Sequence, residues 1–202
     1  DDVKVMYFHA NGPGMVHTKK PVNKLEDFKG VKVRGTGTTA KLVQALGATP
    51  VALPMPETYD ALSRGVVDGV WSPIEALQGW RLGEVVKNST RAAAAASTVS
   101  FFVVMNKGSW NSLPQDAQKI IEQINEEWIE KQGNLWDDID KAGLEFVKAK
   151  GHNIVTLSSS EQDLWVNAVK PLLDDYVKSM KAKGLPGDEV LKFCQDRLKT
   201  LQ

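Results

Sequence analysis

Gly30-Val-Lys-Val-Arg34-Gly-Thr-Gly-Thr-Thr39 is the stretch that decides the fold of this chain. Apolar Val31 and Val33 alternate with charged residues, which predicts a strand over Val31–Arg34 that runs into a Gly/Thr loop. The hydroxyl side chains that follow predict a helix over Thr39–Leu46 with a capped N-terminus. An arginine guanidinium and free helix N–H groups would then face one point, which is a site for a carboxylate or a phosphate.

The composition is that of a folded, electrically balanced chain. Its 202 residues carry 25 Lys and Arg against 25 Asp and Glu, so no net field directs it to nucleic acid or to an anionic membrane. The single cysteine, Cys194, excludes an internal disulfide and a cysteine-based metal cluster. The chain begins Asp1-Asp2-Val3, which we interpret as a processed or excised start, so the lack of a signal peptide does not argue for the cytosol.

Short apolar runs alternate with helical patterns in the first third of the chain, and glycines at positions 47 and 65 suit the ends of two helices. This alternation predicts an α/β fold with a parallel sheet and crossover helices. Besides the elements above, the expected strands are Val3–Phe8, Pro50–Leu53 and Val66–Trp71, and the expected helix is Thr58–Ser63.

The second half begins with an ambiguous alanine run, Ala92–Ala96, and then becomes mainly helical. Val99–Met105 is apolar throughout, which predicts a strand buried on both faces. A long helix is then expected to begin at a capping box formed by Ser112 and Gln115, with a candidate kink at Gly133. It is followed by a strand over His152–Leu157 and by a helix that begins at a Ser158–Glu161 cap and runs through Lys183. A last helix begins at Pro186.

Two places are candidates for ligand binding. Arg34 with Thr36 and Gly37 would hold a small anion, although a surface ion pair is the alternative for Arg34. The loop lacks the third glycine of a dinucleotide site and the Gly-Lys-Ser/Thr of a phosphate loop. Trp71 and Ser72 lie at the carboxyl end of another expected strand, which is where open α/β sheets bind their ligands. Ser72 is also expected to cap a helix. The alternative for Trp71 is a position in the hydrophobic core.

The other polar residues predict no chemistry. His9, His17 and His152 lack ligand spacing and are interpreted as surface or core histidines. Three aspartates, Asp137, Asp138 and Asp140, fit a solvated helix face, and Cys194 fits a buried, inert thiol. Because no nucleophile, base and orienting group can be assembled, we expect a binding protein without catalysis, metal or cofactor.

Five segments, in order and spacing, resemble the DctP-type substrate-binding proteins of TRAP (tripartite ATP-independent periplasmic) transporters. They are Lys20–Arg34, Ala45–Pro50, Glu57–Leu62, Gly65–Gly69 and Asn106–Pro114. The resemblance implies a periplasmic, two-lobed α/β protein that closes around a small organic anion and delivers it to membrane subunits. It also implies that Arg34 is the carboxylate-binding arginine and that Met55 lies at a pocket position.

The chain departs from that family at three positions. The places where the family often has an acidic residue and an asparagine hold Trp71 and Ser72, and a second arginine of some members is replaced around Gly14. These departures favour an aromatic or branched monocarboxylate over a dicarboxylate or a sugar acid. The rival functions are an α/β enzyme and a ligand-sensing domain, each binding a small phosphorylated or carboxylated metabolite.

Family members are usually about one and a half times this length, so the resemblance implies that an N-terminal portion is missing. Residues 15–98 and 150–202 would then be mainly the second lobe, and residues 1–14 and 99–149 would form crossover strands and the inter-lobe helix. A lobe that exposes core surface should pair with another chain, so we expect a swapped dimer or a partner chain.

Overall fold

A computed structural model describes residues 2–92, 95 and 97–201, so most of the alanine run (Ala93, Ala94 and Ala96) lies outside the described residues. Its strands are β1 (Val3–Ala10), β2 (Met15–Thr18), β3 (Lys32–Arg34), β4 (Thr49–Val51), β5 (Gly69–Ser72), β6 (Asn88–Arg91), β7 (Ser100–Asn106) and β8 (Asn153–Thr156). Its helices are α1 (Gly37–Ala45), α2 (Thr58–Ser63), α3 (Ala76–Gly79), α4 (Lys107–Asn111), α5 (Gln115–Ala149), α6 (Ser159–Val169), α7 (Pro171–Ala182) and α8 (Gly187–Leu201).

The larger sheet has six strands in the order β4-β3-β5-β2-β6-β8. Strands β4, β3 and β5 are mutually parallel, and so are β6 and β8, but β2 runs antiparallel to both of its neighbours. The predicted α/β class is confirmed, whereas the expectation of a purely parallel sheet is wrong at β2. Glycines 47 and 65 follow α1 and α2 with φ of 88° and 75°, as their predicted role as helix ends requires.

Both faces of this sheet are buried. Neighbouring residues in one strand enter different cores: Met15 and Val70 belong to one apolar cluster, while Val16 and Trp71 belong to the other. The first cluster packs under α2, α3 and the end of α5, and the second packs under α1 and α6. This two-sided burial fixes the carboxyl ends of β3 and β5, where the candidate residues lie.

Strands β1 and β7 form a separate antiparallel pair. The prediction that Val99–Met105 is buried on both faces is wrong, since most of β7 is exposed and Phe102 keeps 65% of its surface open. The physical reason is that α5 packs along this ribbon, while no second layer covers its other face within the described residues.

Helix α5 is one continuous helix of 35 residues that passes through Gly133. The predicted capping box is wrong: Ser112 ends the short helix α4, whose N-terminus is capped by the Asn106 side chain, and Pro114 precedes α5. No helix in the described part of the chain is both long and apolar enough to span a bilayer.

The C-terminal region contains three helices where two were expected. Ser158 does cap α6, accepting the Glu161 N–H at 3.2 Å, but the helix ends at Val169 because Pro171 starts a new one. Cys194 on α8 is exposed, so its prediction as a buried thiol is wrong. The apolar stripe of α8 faces solvent instead, with Phe193 at 67% exposure.

Candidate functional site

A cleft of about 760 Å³ lies at the carboxyl ends of β3 and β5. Strand β3 ends at Arg34 and the parallel β5 ends at Ser72, so the two candidate segments meet at one edge of the sheet. All six residues predicted for binding line this cleft, namely Arg34, Thr36, Gly37, Met55, Trp71 and Ser72.

Arg34 is half-buried in the cleft wall. Its Nε donates a hydrogen bond to the carbonyl oxygen of Leu53 at 3.0 Å, which fixes the plane of the guanidinium. Its terminal nitrogens make no ion pair or hydrogen bond with another residue in the described part of the chain, so the surface ion pair considered for Arg34 does not exist there. Burial lowers the pKa of Arg34, but an arginine remains charged near neutral pH. The cleft therefore presents a fixed, unneutralised cation.

The loop beside Arg34 becomes helical two residues earlier than expected. Helix α1 begins at Gly37, which has φ of 53°, a conformation that favours glycine. The Thr39 hydroxyl accepts the Thr36 N–H at 2.9 Å and donates to the Thr36 carbonyl at 2.7 Å. Thr39 thus stabilises the turn through a capping box with Thr36, and Thr36, Thr38 and Thr39 all line the cleft.

Trp71 is both a core residue and a cleft residue, so its two alternative roles coexist. Only 2% of its surface is exposed, and its indole Nε1 donates to the Ser97 hydroxyl at 3.1 Å. A Cβ added at Gly14 would approach this nitrogen to 2.5 Å. An arginine at position 14 is therefore incompatible with Trp71 in this position, which gives a physical reason for one departure from the family pattern.

The prediction that Ser72 caps a helix is wrong. Its hydroxyl donates to the Pro73 carbonyl at 3.1 Å, and α3 begins only at Ala76, directly after Glu75. Behind the cleft, the Ser72 carbonyl accepts a hydrogen bond from His17 Nε2 at 3.1 Å. His17 thus supports the strand end from the buried side.

His17 and His152 are core histidines, as expected. Since a carbonyl only accepts, Nε2 of His17 carries the proton, and Nδ1 accepts from the Ser89 hydroxyl at 2.8 Å. Burial lowers the pKa of His17 to about 4, so the ring is neutral at pH 7. Burial also lowers the pKa of His152, whose Nε2 lies 2.9 Å from the Gly83 carbonyl. The described residues contain no group of three or more potential metal ligands.

Three aromatic side chains that the sequence did not predict also line the cleft, and we call them its aromatic wall. They are Trp80, directly after α3, Phe101 in β7 and Trp136 in α5. Phe101 and Trp136 stack with ring centroids 5.9 Å apart and planes 2° apart. Trp136 Nε1 donates to Nδ1 of His9 at 3.0 Å, and the His9 ring also stacks on Phe101. The aromatic wall therefore offers flat apolar surface to a ligand.

A carboxylate, Glu75, lies in the same cleft and was also missed. Burial, and then the negative charge of Asp140, raise the pKa of Glu75 to about 6. Asp140 accepts the Glu75 backbone N–H at 3.3 Å and is itself partly buried, so the prediction of a solvated face is wrong for Asp140. It holds for Asp138, which is exposed and pairs with Lys141.

Comparison with known proteins assigns the family. Residues 1–179 match the model of DctP, the bacterial extracellular solute-binding proteins of family 7. The chain belongs to this family. Membership confirms the predicted resemblance and the predicted periplasmic location, and the members of this family are solute-binding proteins and not enzymes.

Relatives of DctP type share both sequence and fold with the chain. The C4-dicarboxylate-binding periplasmic protein DctP of Rhodobacter capsulatus is 26% identical over 88% of this chain and 54% of its own length. A TRAP periplasmic solute-binding protein of Bordetella bronchiseptica, solved with (R)- and (S)-mandelate, is 29% identical with a TM-score of 0.89, covering 99% of this chain and 64% of that one.

A TRAP solute-binding protein from a marine metagenome, specific for aromatic acids and solved with 3-hydroxybenzoate, is 32% identical with a TM-score of 0.89; the match covers 98% of this chain and 63% of that one. These matches confirm the periplasmic-binding-protein-like fold. The chain spans about half the length of the curated relatives it matches.

Proposed function

We propose that this chain belongs to the solute-binding component of a TRAP transporter that captures a small organic acid and delivers it to membrane subunits. The observation that supports this most strongly concerns Arg34, whose half-buried guanidinium lines the cleft. The Leu53 carbonyl accepts a hydrogen bond from its Nε, and its terminal nitrogens have no partner among the described residues. A bidentate arginine compensates a carboxylate for the water it loses on binding, and lysine offers no such planar fork.

The proposed ligand is an aromatic or branched monocarboxylate. Trp71 and Met55 line the cleft near Arg34, and the wall of Trp80, Phe101 and Trp136 offers flat apolar surface. Within the described residues, Arg34 is the one arginine or lysine that lines the cleft, so a second carboxylate would lack a cationic partner. The aromatic acids in the Bordetella and metagenome proteins support the same ligand class.

We propose the same domain division as the resemblance implied: residues 15–98 and 150–202 in one lobe, with residues 1–14 and 99–149 as crossover strands and inter-lobe helix. Two features support it. The six-stranded sheet and the β1–β7 ribbon are separate sheets, and α5 contacts both β1 and α3. The cleft lies where residues from both parts meet, so closure of the two parts would tighten the wall on the ligand.

A thermal-shift screen tests this function on the 202-residue chain and on the protein encoded by its complete gene. A ligand at a hundredfold excess over its dissociation constant stabilises the folded state by about 2.7 kcal/mol. We expect aromatic or branched monocarboxylates to raise the melting temperature. A response to phosphate esters alone would favour the enzyme alternative, and a response to dicarboxylates or sugar acids alone would refute the proposed ligand class.

A further inference from the structure

Glu75 carries a free carboxylate inside the cleft. It lies three residues beyond the end of β5, lines the same cleft as Arg34 and is half-buried. In the described part of the chain, no hydrogen bond or ion pair joins its carboxylate to another residue, and Arg34 is not within ion-pair distance. The cleft therefore presents one cation and one anion that do not neutralise each other.

The backbone N–H and carbonyl of Glu75 both make hydrogen bonds, so its carboxylate is the only polar group of this residue left without a partner in the described part of the chain. Asp140 accepts its N–H, and helix α5 packs so closely that a Cβ at Gly143 would approach the Glu75 Cα to 2.8 Å. On the next turn, Gly79 leaves space beside the carboxylate, since an added Cβ there would lie 3.2 Å from Oε2. Asp140 only repels this carboxylate, so a ligand group that pairs with it has to be a hydrogen-bond donor.

We infer that Glu75 accepts a hydrogen bond from a hydroxyl group of the ligand whose carboxylate Arg34 holds, so that the cleft selects hydroxy acids. This inference rests on the proposed function. A hydroxyl fits better than an ammonium because it needs a single acceptor. An ammonium brings three donors and a charge whose desolvation costs far more, among walls that are largely aromatic.

Calorimetric titration with matched acid pairs tests this on the protein encoded by the complete gene. The pairs are phenylacetate with mandelate, and benzoate with 3-hydroxybenzoate, which differ by one hydroxyl. A hydrogen bond to a charged group predicts that at least one hydroxylated acid binds about ten- to a hundredfold more tightly than its partner. In Glu75→Ala this affinity ratio should fall to near one.

Two further variants make the test specific. Glu75→Gln keeps the shape and an acceptor oxygen, so it should retain part of the ratio, and its melting temperature reports that the fold is intact. Glu84→Ala removes an exposed carboxylate that binds Arg81 and Tyr59 outside the cleft, and it should leave the ratio unchanged.

The possible failures are distinguishable. Equal affinity for both members of each pair in the wild type, or a ratio that survives in Glu75→Ala, would overturn this inference alone. Tighter binding of phenylglycine than of mandelate would indicate that the cleft prefers an ammonium group to a hydroxyl, and this result would also overturn the inference. Binding of no organic acid would overturn the proposed function together with this inference.

Discussion

At the scale of single residues, Arg34 matters through its geometry as much as through its charge. The bond from Nε to the Leu53 carbonyl leaves both terminal nitrogens of the planar guanidinium available to a ligand in the cleft that Arg34 lines. Arg34→Lys keeps the charge but loses this bond and the planar fork. We expect about tenfold weaker binding of the ligand acid or worse, measured by calorimetry, with little change in urea stability. Affinity equal to that of the wild type would show that only charge matters there.

His17 predicts a specific pH dependence of stability. Its pKa is about 4 in the folded protein against 6.5 when unfolded, so the unfolded chain binds the proton more strongly between these values. The contribution of the neutral His17 ring to the free energy of unfolding is fully present above pH 6.5. It falls by about 3 kcal/mol as the pH drops towards 4. Urea unfolding of wild type and His17→Gln at pH 7 and 5 measures it: the wild type should lose more stability than the variant. Equal losses would exclude His17 as the cause.

Sequence reasoning found Arg34 with its loop, Trp71 and Ser72, but it missed Glu75 and the aromatic wall. Arg34, Trp71 and Ser72 were accessible because they end recognisable strands. Glu75 and Trp136 were not, since they follow from how α5 packs against α3 and β1, and no local pattern encodes that contact. The sequence showed only that an acidic residue, Glu75, stands three positions after a strand end.

At the scale of elements, the close contact between α5 and α3 depends on Gly143. A Cβ there would lie 2.8 Å from the Glu75 Cα and 2.9 Å from the Ile74 carbonyl oxygen, so the helix would have to move away. We expect Gly143→Ala to lower the free energy of unfolding by about 1–3 kcal/mol. The measurement is urea denaturation followed by circular dichroism.

Gly133 on the same helix is a matched control. An added Cβ would meet no atom within 4 Å there, so Gly133→Ala should stabilise α5 by about 0.5–1 kcal/mol. If both substitutions changed stability in the same direction, the tight α5–α3 contact would be excluded as the reason for Gly143.

Strand prediction failed where polar residues are buried. Strands β2 and β6 lie inside the sheet yet include Thr18, Ser89 and Thr90. The Thr90 hydroxyl donates to the Val22 carbonyl at 2.7 Å, and Thr18 donates to Lys20. The first of these bonds joins residues 68 positions apart, and neither bond follows from an apolar pattern, so periodicity cannot reveal these strands. The helices α1 and α2 were predicted well because their ends are encoded locally.

At the scale of the whole molecule, the uncovered face of the β1–β7 ribbon is a large apolar surface. Val5 pairs with Val104 and Phe8 with Phe102 across the ribbon, and all four are exposed. We propose that the 202-residue chain self-associates through this face, because exposed apolar patches of this kind mark interaction sites. Light scattering should show mass rising above that of a monomer with concentration, and Phe8→Ser with Phe102→Ser should reverse it. A clean monomer at all concentrations would contradict the proposal.

The central claim is that the free guanidinium of Arg34 holds the carboxylate of the ligand. The most direct test is calorimetric titration of mandelate into wild type, Arg34→Ala and Arg64→Ala, using the protein encoded by the complete gene; Arg64 is exposed and lies outside the cleft. Losing one partner of a buried charge pair costs about 2–5 kcal/mol, so Arg34→Ala should bind about thirty- to several-thousand-fold more weakly while Arg64→Ala matches wild type. Equal affinity in all three proteins, or no binding to the wild type of mandelate or any other aromatic or branched monocarboxylate, would contradict the account.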